Sequence, residues 1–251
     1  MALTDFLAEL DALYAANKVP PARRLALLEA HQPALLAHDE ALARLIGLKT
    51  FAGQADEAIA LLSNHTFNIW EGGTRFNTAE SWIDAHLVRG RQRLAANQAR
   101  EALADFEAAT RFPVNLRAYD SGSRTAEISY WVGCARAAVG DATAAAAAWQ
   151  RAAVAAFVPA RRNGDSEPAG EGYRRSAQRY FQALALRQLG HADQAGTLLH
   201  DLAAPGAAAD HYAAGLGAAG LGQKDQARAE LTAALAAVPD QLGARLELDQ
   251  L

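Results

Sequence analysis

Small residues and turn formers recur along this chain at a spacing that suits closely paired helices. Gly90, Asn97, Ala102, Phe106, Ala109 and Pro113 fall at positions 8, 15, 20, 24, 27 and 31 of a unit counted from residue 83. Gly133, Gly140, Ala145, Trp149 and Ala152 fall at 8, 15, 20, 24 and 27 of a unit counted from residue 126. Slim side chains at positions 8 and 20 let two antiparallel helices approach, a turn former at 15 joins them, and a large apolar residue at 24 fills the gap to the next pair. Gly53, Ala58 and Leu62 repeat positions 15, 20 and 24 earlier in the chain. Ala183, Gly190, Ala195 and Leu199, then Gly215, Gly222, Ala227, Leu231 and Ala234, continue the series. Much of the 51% apolar content is alanine, which favours thin, tightly packed helices over a bulky core. The expected fold class is all-α.

The pattern resembles the tetratricopeptide repeat, a unit of about 34 residues. That resemblance implies a right-handed α-solenoid of about five helix pairs in a single domain, 1–251, because solenoids grow by adding units and meet no single-core limit. Residues 1–32 read as N-terminal helices. Thr4 is the expected cap of the first, which runs to about Asn17 with Phe6, Leu7, Leu10, Leu13 and Tyr14 on one stripe; Pro20 and Pro21 open the second. Residues 33–157 hold the best-matching repeats, beginning with one helix from Pro33 that carries Leu35, Leu36, Leu42, Leu45 and Ile46. Residues 158–172 read as a polar, mobile loop, and 173–251 as the C-terminal repeats with a short, charged capping helix from about Gln241.

The turn residues Gly53, Asn97 and Gly140 are 44 and 43 residues apart (97 − 53 and 140 − 97), so extra segments lie between the units. The first insert, Asn64 to Thr78, carries Phe67, Ile69, Trp70 and Phe76, which need burial, around a Gly72-Gly73 break; Thr78 is the expected cap of the next helix. The second runs from Phe112 to Thr125. On a solenoid, insertions at equivalent places reach the same face and often build a binding surface. Trp70 beside Glu71 offers a flat ring and an acceptor, Arg75 and Arg124 offer forked donors, and Asn115, Tyr119 and Tyr130 add polar edges. Such a set suits a protein partner or a sugar, or pins the loops to their own helices.

Other motifs point away from chemistry. Gly215 to Gly220 spells G-x-G-x-x-G, but no β-strand signal precedes it, so the glycines read as helix-packing residues. The seven histidines form no metal-binding spacing and read mostly as helix-end or solvent-facing residues. Cys134 is the single cysteine and reads as a small buried apolar residue, and Trp82, Trp131 and Trp149 as helix packing. Glu71, Asp84, Asp120 and Glu127 could pair for acid–base work on a sugar; the plainer reading pairs them with Arg75, Arg89, Arg117 or Arg124. No cofactor or metal is expected. A net charge of −4 gives no footing for nucleic acid, and no apolar run nears the roughly 20 residues of a membrane span. Met1 to Leu13 reads as no signal peptide, which leads to the expectation of a cytoplasmic protein.

Phe67-Asn68-Ile69-Trp70-Glu71-Gly72-Gly73, the helix with Gly90, Phe112-Pro113-Val114-Asn115-Leu116 and Tyr130-Trp131-Val132-Gly133 resemble, over about residues 35–155, the C-terminal region of a bacterial family. Its members carry W-E-G-G and P-x-N-L motifs on tetratricopeptide-like helices behind a β-rich N-terminal domain of carbohydrate-related fold. Here Arg117-Ala118-Tyr119-Asp120 stands where members often have a glycine-rich stretch. The expected function is a non-enzymatic interaction or scaffold module that binds a protein or peptide on its concave face. The alternative implied by the resemblance is a carbohydrate accessory region acting with such a β-rich domain, with Trp70, Glu71, Arg75 and Asn115 on the ligand.

Overall fold

The computed structural model describes residues 3–68, 77–118, 122, 124–158, 171–204 and 210–251. They form α1 (Leu3–Ala16), α2 (Pro21–Glu29), α3 (Gln32–Leu35), α4 (Asp39–Phe51), α5 (Ala55–Asn64), α6 (Thr78–Ala95), α7 (Ala99–Ala108), a 3-10 turn (Val114–Leu116), α8 (Thr125–Ala138), α9 (Ala142–Val154), α10 (Glu171–Gln188), α11 (Ala192–Ala203), α12 (His211–Gly220), α13 (Lys224–Ala237) and α14 (Leu242–Leu248). No strand occurs among the described residues.

Five helix pairs, α4/α5 through α12/α13, close in the same way. Gly53, Asn97, Gly140, Gly190 and Gly222 all have positive φ, the left-handed conformation that ends a helix. The amide one residue further on donates back to the helix: Gln54 to Lys49, Gln98 to Arg93, Asp141 to Arg136, His191 to Leu186 and Gln223 to Ala218, each at 2.8–2.9 Å. Lys18 takes the same conformation after α1, and Val19 donates to Tyr14, although nothing in the local sequence marks a glycine-type turn there.

Position 8 meets position 24 inside the three pairs that carry glycine at position 8. A Cβ on Gly90 would collide with the Phe106 ring, one on Gly133 with the Trp149 ring, and one on Gly215 would come 2.7 Å from Leu231. Phe106 also stacks on Trp131 of the next pair at 6.0 Å, so a position-24 side chain packs both ways. Ala58, Ala102, Ala145, Ala195 and Ala227 at position 20 are buried. The glycines of the G-x-G-x-x-G stretch divide their labour: Gly215 faces α13, while Gly217 and Gly220 face Leu199 and Ala203 of α11. They are packing residues inside a helix.

Several sequence expectations shift. The helix expected from Pro33 is broken into α3 and α4, because the His38 imidazole accepts the Ala41 amide and starts a new helix. Helix α1 turns a different face inward: Leu7, Ala8 and Asp11 are buried, whereas Phe6 and Leu13 are 48% and 58% exposed. Thr78 does not cap α6; Asn77 does, accepting from the Ala79 and Glu80 amides. Helix α10 starts at Glu171, two residues ahead of the expected boundary, and residues 159–170 of the expected loop lie outside the described residues.

Helices α4, α6, α8, α10, α12 and α14 pack on one another in succession, whereas α5, α7, α9, α11 and α13 pack chiefly on their chain neighbours. A row whose members touch is shorter than one whose members splay, so the first row lines the inside of a curve. The curve brings its ends together: Asp240, just ahead of α14, pairs with Arg24 of α2 at 2.6 Å.

Candidate interaction surface on the inner helices

The inner surface is occupied by the chain's own last helix. The α14 seat is built by α6, α10 and α12. Glu247 pairs with Arg91 at 2.9 Å and accepts the Tyr180 hydroxyl at 2.8 Å, and all three side chains are buried. Arg91 also donates to the Leu246 carbonyl at 2.9 Å, satisfying an acceptor that the end of a helix leaves open. Its guanidinium lies 4.6 Å from the Trp131 ring centre, so one arginine joins α6, α8 and α14. Ala244 is fully buried, and Gly243 lies against the Tyr212 ring and hydroxyl so closely that a Cβ would overlap them. The sequence-based cap is thus a helix read by side chains of three inner helices.

Two further ion clusters line the same side. Arg24 forks onto both oxygens of Asp11 at 2.8 and 2.9 Å and reaches Asp240 with its remaining amino group. Asp11 has no exposure to solvent and receives Arg44 as well, at 3.4 Å. Arg124 is surrounded by Glu127 at 2.7 Å, Glu80 at 2.8 Å and Asp84 at 2.9 Å. Burial works against the Arg124 charge, but the three carboxylates hold its pKa well above the ordinary value. Burial also raises the Asp84 carboxyl to about 6; Arg124 opposes the rise and the like charges of Glu80 and Glu127 support it. A cavity of about 230 Å³ joins these clusters, lined by Arg24, Arg44, Thr50, Ser81, Asp84 and Asp240 among others.

The predicted site residues that the structure describes, Asn115, Arg124 and Tyr130, stand in different surroundings. Trp70, Glu71, Arg75 and Tyr119 lie outside the described residues. Asn115 is a clamp between the inserts: its amide nitrogen donates to the Leu62 and His65 carbonyls at 2.7 and 2.6 Å, and its own carbonyl accepts the Phe67 amide at 3.1 Å. Both side-chain hydrogens are therefore committed within the fold. Phe67 and Leu116 are buried beside it, while Val114 is 94% exposed. Arg124 serves the ion cluster above. Tyr130 is half-buried against Trp131 and Phe181, and burial raises its hydroxyl pKa, with contributions from Cys134 and Glu247.

Of the candidate carboxylates, Asp84 and Glu127 face Arg124, as the plainer reading expects, while Glu71 and Asp120 lie outside the described residues. The Cys134 thiol is pushed up in pKa by burial, which suits a packing residue. His86 departs from its expected helix-end or exposed place: it is buried on α6, within 3.1 Å of Asp105, with its Nε2 unpartnered. Among the described residues no group of three or more His, Cys, Asp or Glu is arranged to hold a metal ion, and no helix is long and apolar enough to cross a membrane.

Sequence reasoning missed Arg24, Arg91, Asp240 and Glu247. Each looks locally like an ordinary helix-surface charge, and its partner is far away in sequence. The fold and this surface define a class: an all-helical protein of repeated, packed helix pairs. No protein-family model matches the chain, and comparison with curated proteins and with solved structures returns no match.

Proposed function

We propose that this chain is a right-handed solenoid of tetratricopeptide-like helix pairs that acts as a non-enzymatic interaction module, binding a protein or peptide partner on its concave, inner face. The observation that carries this reading is α14: the inner helices hold a helical segment through a buried ion pair, a tyrosine hydrogen bond and a small-residue contact. A surface that already grips a helix has the chemistry to recognise one. The charges lining it are paired with one another: Arg24 with Asp11 and Asp240, Arg91 with Glu247, and Arg124 with Glu80, Asp84 and Glu127.

Site-specific photo-crosslinking in the native host tests the reading. A crosslinking residue replacing Ser81, on the inner cavity, is expected to capture a discrete protein partner. One replacing exposed Ala104 on α7 of the outer row is expected to capture none. Adducts from Ala104 alone, or from neither position, would overturn the concave-face reading. The carbohydrate alternative gains nothing from the described residues, since the Asn115 amide hydrogens it would need are already bound.

A further inference from the structure

The seat of α14 is specific enough to say what kind of helix it takes. Reading back from Glu247, the segment is Asp240-Gln241-Leu242-Gly243-Ala244-Arg245-Leu246-Glu247. Its two carboxylates stand seven residues apart (247 − 240), Asp240 in the turn ahead of α14 and Glu247 in its last turn, and each meets an arginine of the inner surface, Arg24 or Arg91. Between them Gly243 passes where Tyr212 leaves no room for a side chain, and Ala244 is fully buried. The seat therefore asks for an acid at each end and small residues in the middle. Helix α14 has seven residues and follows α13 through a short link that contains Pro239. So short a helix has little stability of its own, and the contacts of its seat hold it in place.

We propose that this inner seat binds a short partner helix together with an aspartate in the turn that leads into it, in the pattern D-x-x-G-A-x-x-E, and that α14 is its internal competitor, occupying the seat in the free chain until the partner displaces it. This rests on the concave-face reading above and adds the partner's chemistry and a self-occupied resting state. One amino group of Arg91 holds a carboxylate near the C-terminal end of the incoming helix and caps a last-turn carbonyl at the same time, so it reads both charge and direction. A basic helix would leave Arg24 and Arg91 facing like charges.

The test uses the 251-residue chain and a fluorescein-labelled synthetic peptide with the sequence of residues 238–251. Gly243→Leu drives α14 against Tyr212 without altering any group that grips the peptide. It is expected to bind the peptide at least tenfold more tightly than the unaltered chain, by fluorescence anisotropy. Adding Arg91→Glu to that variant is expected to weaken binding at least tenfold. A peptide in which the glutamate matching Glu247 is arginine is expected to regain affinity for the Arg91→Glu chain, a pairwise swap that general misfolding does not produce.

In the unaltered chain, saturating peptide is expected to speed amide hydrogen exchange in 242–248 without speeding it in α12, which keeps the test open should Gly243→Leu unfold. The proposal falls if Gly243→Leu binds no more tightly while remaining helical, if the charge swap restores nothing, or if exchange in 242–248 is indifferent to peptide. Crosslinking of a partner at Ser81 together with any of those failures would leave the interaction-module reading standing and remove only this one. Peptide exchange without a crosslinked partner would remove both readings, leaving a seat that opens but no partner to fill it.

Discussion

At the scale of single residues, the fold depends on where a Cβ is absent and where a charge is buried. Gly133 faces the Trp149 ring and Gly47 faces open space, although both lie inside helices. Gly133→Ala is expected to overpack the α8/α9 pair and lower stability by about 1–3 kcal/mol. Gly47→Ala is expected to raise it by about 0.5–1 kcal/mol, by removing glycine's backbone entropy cost in a helix. Urea unfolding midpoints of the two variants check both signs. Asp84 supplies a pH test. Its carboxyl, normally near 3.8, is raised to about 6 by burial, so between those values the folded chain holds more protons than the unfolded chain. Stability from this group is therefore present below about 4 and is lost as pH rises through about 6. Measured against Asp84→Asn, in which all other titrations cancel, the wild-type advantage is expected to shrink from pH 4 to pH 6.5. A difference that stays flat or grows with pH would show that Arg124, rather than burial, governs the site.

Between elements, the inserts act as structure wherever they are described. Asn115 ties the end of α5 to the turn after α7, Thr78 at the start of α6 donates to the Leu116 carbonyl at 3.0 Å, and Phe67 is buried beneath them. Asn115→Ala leaves the Leu62 and His65 carbonyls without those donors and is expected to cost about 1–3 kcal/mol, read as a lower melting temperature. Unchanged stability would mean that water replaces the clamp. The sequence alone carries the existence of the helix pairs, because glycine in the left-handed turn and alanine at the closest approach are local requirements. It also carries the need to bury Phe67, since a large ring in a loop must find cover. It does not carry the rotation of α1. Leu7 and Asp11 share a face with Tyr14, and the arginines Arg24 on α2 and Arg44 on α4 make a buried aspartate there tolerable while Phe6 and Leu13 face outward.

For the whole molecule, closure is the feature that separates this chain from an open stack. Arg24 belongs to two layers at once: it neutralises the fully buried Asp11 and reaches across to Asp240, which is 33% exposed. These contacts are unequal. Arg24→Met leaves the buried Asp11 carboxylate to Arg44 alone, at 3.4 Å, and is expected to cost about 3–5 kcal/mol, whereas Asp240→Asn loosens a partly solvated contact and is expected to cost less than about 1 kcal/mol. Chemical denaturation of both variants distinguishes them; similar small losses would show that Asp11 does not depend on Arg24. The amino-acid sequence by itself determined the helical class, the pair boundaries and the small-to-large packing inside each pair, because those interactions join residues about 16 apart, as Gly90 and Phe106 or Gly133 and Trp149 are. Tertiary structure alone decided that the row curls until α14 meets Arg91, and that Arg24 and Asp240, 216 residues apart, come within hydrogen-bonding distance. The physical reason is cumulative: small rotations between successive pairs add up along the row, and no local pattern records their sum.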